Sequence, residues 1–257
     1  MWFFTADLHL RHNNIIKYCN RPFTNEIEKN FLKMVYDQVI PISDVRISDE
    51  STEKMTDAII DAINHVVKAN DNLVIIGDFC HTNNKNRTTQ IKELRDRINC
   101  NNVYLILGNH DDREYVKQHF ICYDQYTFNI NGQQIFTCHY PCRSWNKKTH
   151  GSWMLYGHTH GYLSVEDDGK FLDNHRRLLT LGFSDVLAKH GINNQYDLLN
   201  DLLAAASCIK GLELCLDVGV DNIRPNTSFG TPWSITEISK YMLNKKNRIE
   251  ITSRILK

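Results

Sequence analysis

A chain of 257 residues is long enough for one large α/β domain or two small ones, and its 42% hydrophobic and 23% charged content is that of an ordinary folded protein. Its 30 basic residues balance 30 acidic ones, which argues against a globally basic nucleic-acid-binding surface and leaves only weak steering of a polyanion. No run approaches the ~18 apolar residues of a membrane span, and Met1-Trp2-Phe3-Phe4-Thr5 lacks the basic start and apolar core of a signal peptide.

Eight cysteines form no Cys-x-x-Cys pair, so they predict small buried hydrophobes in a reducing, cytoplasmic setting. Twelve histidines are many, and their spacing matters because imidazole is the commonest metal ligand.

Trp2 to Ala6 reads as a buried strand that runs into Asp7. Apolar positions at helical spacing predict a helix over 25–40, stopped by Pro41. A second helix is predicted over 52–69, with Met55, Ile59, Ile60 and Ile63 on one face. Leu73–Ile76 is an apolar strand ending at Gly77-Asp78. A helix over 87–98 and a strand over 103–107 follow, the latter ending at Gly108-Asn109-His110-Asp111. Residues 112–119 read as a short helix. Alternation around Asn131-Gly132 predicts a hairpin, Tyr126–Ile130 with Gln134–Cys138, that delivers His139. Trp153–Tyr156 is a strand ending at Gly157-His158-Thr159-His160.

Residues 162–212 read as a helical insertion, with helices near 184–189 and 195–208. Strand character returns over 212–220. Ser234 and Glu237 form a capping-box start for a helix over 235–244, and a last strand is expected near 248–256. The whole is expected to be a single domain, 1–257, with that insertion.

Five predicted strands thus end in metal-competent residues: Asp7 and His9, Asp78, Asn109, His139, and His158 and His160. In open α/β sheets, sites lie beyond the carboxyl ends of the strands. Residues i and i+2 of an extended strand end point the same way, so each of the two i, i+2 pairs can reach one ion. Carboxylate, amide and imidazole ligands suit divalent metals. Seven of them fit two ions sharing one carboxylate, for which Asp78 is the natural bridge. Two ions at about 3.5–4 Å clamp a phosphoryl group and generate a bridging hydroxide.

In this order the motifs Asp7-Leu8-His9, Gly77-Asp78, Gly108-Asn109-His110-Asp111, His139 and Gly157-His158-Thr159-His160 resemble those of the calcineurin-like metallophosphoesterases. The runs His12–Tyr18, His139-Tyr140-Pro141 and Asp217-Val218-Gly219-Val220-Asp221 are similar to its small bacterial and phage members. The resemblance implies an α/β fold, a mixed β-sandwich flanked by helices in four layers, α/β/β/α. It implies one ion on Asp7, His9, Asp78 and His160, and a second on Asp78, Asn109, His139 and His158. It implies that His110 protonates the leaving oxygen and that Asp111 orients His110. His81 stands where the purple acid phosphatases carry a tyrosine ligand, which argues against an iron–tyrosinate centre.

Arg113 is a candidate for a bidentate phosphate contact, against the plainer reading of a solvated helix charge. His12 and Asn13 are candidate substrate contacts, against simple loop capping. His81, Arg143, Trp145 and His150 are weaker candidates for the pocket mouth. The expected activity is metal-dependent hydrolysis of a phosphomonoester or phosphodiester, a small nucleotide or cyclic phosphodiester being favoured. Mn²⁺ is the first choice of metal, ahead of Fe²⁺, Zn²⁺, Co²⁺, Ni²⁺ or Mg²⁺. The alternatives are a nuclease, for which Lys147-Lys148 and Arg176-Arg177 are the only nearby basic residues, and a non-catalytic scaffold that binds partner proteins. No membrane partner is expected.

Overall fold

The structure is a computed structural model that describes residues 1–82, 85–142, 144–161, 214–222 and 224–244. The chain divides into two compact units: residues 1–160 with 216–237, and residues 161–215 with 238–257. The expected insertion, its two helices and the expected strand near 248–256 lie outside the described residues, as does Arg143.

The first unit is built on two sheets. Strands β1 (Trp2–Thr5), β2 (Asn72–Ile76), β3 (Asn102–Ile106) and β4 (Ile121–Tyr123) run parallel, and β9 (Trp233–Ser234) closes the other edge antiparallel to β1. A second sheet has the order β5 (Gln125–Ile130), β6 (Gln133–Cys138), β7 (Trp153–Tyr156), β8 (Cys215–Asp217). Strands β5 and β6 form the expected hairpin, with Asn131 and Gly132 at φ 51° and 82°. These are the left-handed values that a two-residue turn of matching twist requires.

The first sheet is buried on both faces, which is why its strands read as unbroken apolar runs. Phe3, Leu73, Ile75, Val103 and Leu105 point to one side, into a core shared with α1 (Asn13–Tyr18), α3 (Asp49–Val66) and α4 (Arg87–Asp96). The alternate residues point to the second sheet. There the Phe128 ring of β5 lies 5.2 Å from Trp2, 6.2 Å from Phe4 and 5.6 Å from Tyr104. Mixed parallel and antiparallel sheets flanked by helices make this an α/β fold.

Helix boundaries follow local caps. Ser48 accepts from Ser51 N–H and starts α3 three residues before the expected 52. The helix expected over 25–40 is α2 (Glu26–Tyr36), and it ends before Pro41 because Gln38 turns to φ 60°. Only part of its apolar stripe anchors it: Leu32 and Val35 pack against the core, while Ile27, Phe31 and Met34 are exposed. Buried Glu28 adds a polar anchor, accepting from Asn25 N–H, Ser48 N–H and the Ser51 hydroxyl. The helix expected over 112–119 shortens to α5 (Arg113–Val116). Ser234 and Glu237 form their reciprocal cap at the start of α6, residues 235–244. No helix among the described residues is long and apolar enough to cross a membrane.

Ile75 is fully buried on the central strand of the first sheet. Ile75→Ala is expected to destabilise the protein by about 2–5 kcal/mol through lost burial and a residual cavity. A denaturant titration should show a lower midpoint at unchanged slope.

Candidate metal centre

The parallel register of β1, β2 and β3 brings three strand ends side by side, and the chain continues from each into a candidate ligand: Asp7, Asp78 and Asn109. Strands β6 and β7 deliver His139 and His158–His160 from the second sheet. The two sheets are joined at this edge, since Ala6 bridges Gly219 and Val220 N–H donates to Ala6 carbonyl at 3.1 Å.

The ligand loops are not extended, contrary to the expectation for an i, i+2 pair. Asp7, His9, Asp78, His158 and His160 all take left-handed φ, from 48° to 68°. A non-glycine residue pays for that conformation with order 1 kcal/mol or more of strain. The strain is held by bonds beyond the strand ends. Asp7 N–H donates to Gly77 carbonyl at 3.0 Å, and His9 N–H to Asp78 carbonyl at 2.8 Å. His158 N–H donates to both Asp7 carboxylate oxygens, at 2.9 and 3.0 Å.

Two glycines make the room. A Cβ on Gly77, itself at φ 85°, would stand 2.1 Å from His139 Nδ1. One on Gly108 would stand 2.2 Å from Asp78 Oδ1. At Gly108 the need is space alone, and at Gly77 it is both space and φ.

Asp7, His9, Asp78 and His139 form a buried floor, while Asn109, His110 and His158 are exposed at the rim. Asp78 Oδ2 lies 3.4 Å from His9 Nε2 and 3.4 Å from His139 Nε2. The His139 ring is fixed by Nδ1 donating to Ile76 carbonyl at 3.0 Å, and its Nε2 lies 3.1 Å from Asn109 Oδ1. Asp7, His9 and His160 form one metal-competent group, and Asp7, Asp78 and His139 another. His9, Asp78 and His110 form a third, so His110 stands among the ligand donors as well as at the rim. The His158 ring packs 5.1 Å from that of His139.

These residues fit divalent ions. His9 Nε2 is buried without a hydrogen-bond partner, which is costly for a polar atom unless something takes its lone pair. Burial also raises Asp7 to about 7, against the lowering pull of His160 and His139. Burial drives His9 down to about 2, keeping it neutral and ready to donate its lone pair. Burial alone would raise Asp78 too, but hydrogen bonding and charge at His139, then His9, bring it down to about 2. For His160, burial lowers the value and is overcome by hydrogen bonds to Asp221 and Cys19, which lift it to about 10.

The outer candidates separate clearly. His12 lies against the floor, its Nδ1 3.2 Å from His9 Nδ1, and stacks on His81 at 4.8 Å. Asn13 is exposed and accepts from Asn14 N–H. Arg113 is turned to Asp124, 2.5 Å away on the surface. Trp145 is buried, donating to Ser152 carbonyl, and His150 lies on a short 3₁₀ turn beside the β5–β6 hairpin. Asp111 was expected to orient the His110 ring. Its two oxygens instead accept three backbone N–H groups, from Asp78, Phe79 and Gly108, at 2.8 to 3.0 Å. It therefore ties the loop after β2 to the loop after β3, and acts on His110 only through the backbone.

Two residues had no role from sequence. Arg21, completely buried, donates to both carboxylate oxygens of Asp221 and to the carbonyls of Asp7 and Leu8. Asp221 in turn accepts from His160 Nδ1 at 2.7 Å. Asp221 ends the Asp217–Asp221 run that resembles the small members of the family, and Arg21 carries no sequence signal beyond its place after the first candidate ligand pair.

A family model described as calcineurin-like phosphoesterase matches residues 3–209. An uncharacterized protein of Methanocaldococcus jannaschii, MJ1445, is 29% identical over 155 residues, covering 60% of this chain. The match spans 66% of that relative's length, just under two thirds. The crystal structure of a protein of unknown function from Aquifex aeolicus, AQ665, aligns at a TM-score of 0.49 and 20% identity, covering 94% of this chain and 98% of that one.

Protonation of the candidate ligands should set the pH dependence of metal uptake. Asp7 must lose its proton near pH 7, and His160 holds one to about 10. Affinity for Mn²⁺ should therefore rise with pH between 5 and 9, most steeply below about 7, with proton release on loading. Calorimetric titrations in buffers of different ionisation enthalpy measure both, and a flat profile would contradict the assignment of Asp7. Gly108→Ala should displace the Asp78 carboxylate and weaken Mn²⁺ binding about 10-fold or more, read in the same titration.

Proposed function

Because this chain belongs to the calcineurin-like phosphoesterase family, we propose that it hydrolyses a small phosphate ester, a nucleotide or cyclic phosphodiester, at a centre of two divalent ions. The observation that carries this reading is the position of Asp78 Oδ2, 3.4 Å from each of two buried imidazoles that belong to different sheets' ligand loops. A carboxylate so placed is suited to be shared. In this proposal Asp7, His9, Asp78 and His160 hold one ion, and Asp78, Asn109, His139 and His158 hold the other. When bound, the ions activate water and neutralise charge on the phosphoryl group.

The chain's own groups do the rest. His110 is exposed at the rim, its N–H bonded to Asp78 Oδ1 at 2.9 Å and its ring 5.2 Å from that of His9. Backbone and ligand loop thus hold it where it delivers a proton to the leaving oxygen. Asp111 fixes the loop that presents it. His12, beside His9 and His110, is the proposed contact for a phosphate oxygen. Arg113 is engaged with Asp124 and has to leave that pair to reach a substrate.

A small substrate is favoured over a polymer by the chain's zero formal charge. Of the basic residues the nuclease alternative needs, Lys148 lies over the Trp145 ring at 4.9 Å, and Arg176 and Arg177 lie outside the described residues. Mn²⁺ is the proposed metal. The proposed reducing, cytoplasmic setting is supported by seven free cysteines among the described residues.

Protein loaded with Mn²⁺ is expected to cleave bis(p-nitrophenyl) phosphate or p-nitrophenyl phosphate, and a panel of cyclic nucleotides and single- and double-stranded nucleic acids sorts the substrate class. His110→Ala should lower kcat by about 10²–10⁴ with metal content retained. Asp78→Asn should lose activity together with metal. Full activity in both variants would refute the assignment.

A further inference from the structure

Three groups are linked by consecutive hydrogen bonds: Arg21, Asp221 and His160. Arg21 is fully buried and faces Asp221 with two bonds, Nε to Oδ1 at 2.8 Å and Nη2 to Oδ2 at 2.7 Å. The same guanidinium donates to Asp7 carbonyl at 2.8 Å and Leu8 carbonyl at 2.9 Å. Asp221 Oδ2 accepts from His160 Nδ1 at 2.7 Å. One buried cation therefore touches the backbone that carries Asp7 and, through a single carboxylate, the ring of His160.

We propose that Arg21 and Asp221 are positioning residues that act directly on the locus of Asp7, His9 and His160, and reach the locus of Asn109, His139 and His158 only through Asp7, whose carboxylate accepts from His158 N–H. The inference rests on the two-ion reading above.

The chemistry is specific to that half of the centre. With Nδ1 committed to Asp221, His160 has Nε2 as the nitrogen open to an ion, so the carboxylate selects the tautomer and fixes the ring plane. The Asp7 backbone is left-handed, at φ 56°. Bonds to the Asp7 and Leu8 carbonyls hold the two peptide units after that residue in the strained turn. On the other side of the centre, His139 makes its hydrogen bonds with Ile76 carbonyl and Asn109, and its Nδ1 stands 3.9 Å from Asp7 Oδ1. Bidentate geometry is what arginine supplies and lysine does not.

Cys19 also belongs to this neighbourhood, and Cys19, His160 and Asp221 have ligand atoms within 4.8 Å of one another. A third ion there would have to displace both Arg21 and the His160 N–H from Asp221, so the carboxylate is read as a hydrogen-bond acceptor and not as a ligand.

Calorimetric titration of metal-depleted full-length protein with Mn²⁺ tests this, with Asp221→Asn, Arg21→Lys and His158→Ala compared with wild type. Wild type should take up two equivalents. Asp221→Asn, isosteric but uncharged, should weaken one binding step by about 10- to 100-fold and leave the other within about twofold. Arg21→Lys should weaken the same step, since lysine restores the charge without the fork. His158→Ala should weaken the opposite step, and this identifies which is which. Thermal melts of the metal-free proteins accompany the titrations. If either Arg21 variant or Asp221→Asn fails to fold, the other supplies the result.

Equal weakening of both steps, or no change in either variant, overturns the positioning role while leaving the two-ion centre standing. A third equivalent in wild type that vanishes in Asp221→Asn overturns it in favour of a metal at Cys19. Wild type that binds no metal overturns both this inference and the function it rests on.

Discussion

Asp78 holds one carboxylate oxygen at equal distance from two buried imidazoles and gives the other to the His110 N–H. A carboxylate taken this far from water has to be matched by positive charge or donors on every side. The surrounding structure is arranged to do that. Parallel register in the first sheet sets the loop of Asp78 between those of Asp7 and Asn109. The crossing from the second sheet brings His139 to its far side. Asp111 spends its own charge on the backbone N–H groups of Asp78, Phe79 and Gly108, so that the loop holding Asp78 cannot drift.

Rigidity at the centre comes from an unusual distribution of strain. Regular sheet geometry stops at Thr5, Ile76 and Tyr156, and the residues just beyond adopt conformations that isolated peptides avoid. Those conformations persist because hydrogen bonds continue past the ends of the strands. The floor is buried and the rim is open. Donor atoms are thus fixed where charge is concentrated, and the opening lies on the side of Asn109, His110 and His158.

Much of this was legible in the sequence. The strands of the first sheet were readable because burial on both faces leaves uninterrupted apolar runs. The hairpin was readable because Asn131-Gly132 admits the turn that its twist needs. Three of the five exits, Gly77-Asp78, Gly108-Asn109 and Gly157-His158, carry a glycine step that marked candidate ligands, whereas Asp7 and His139 follow Ala6 and Cys138. What sequence spacing could not supply was the backbone state of those ligands. An i, i+2 pair suggests an extended chain, whereas Asp7 and His9 converge by left-handed turns. Helix α2 misled differently: its apolar stripe predicts burial, but only Leu32 and Val35 of it pack against the core, and a polar anchor at Glu28 shares the work. Asp111 and Arg21 were opaque because their partners are backbone atoms and a carboxylate 200 residues away, and no local pattern encodes such contacts.

That long separation orders events during synthesis. A chain growing from its N-terminus has all seven proposed ligands by residue 160, yet the carboxylate that sets the His160 ring is made 61 residues later. Strand β9, which covers the open edge of β1, arrives later still. The half of the centre around Asn109 and His139 has its supports in place first, from Ile76 and Gly77 onward. The half around Asp7 waits for the closing segment to dock, the kind of distant contact that forms slowly. On a ribosome, the Asn109–His139 side would gain its supports before the Asp7 side, and the closing segment would decide when the candidate centre becomes whole.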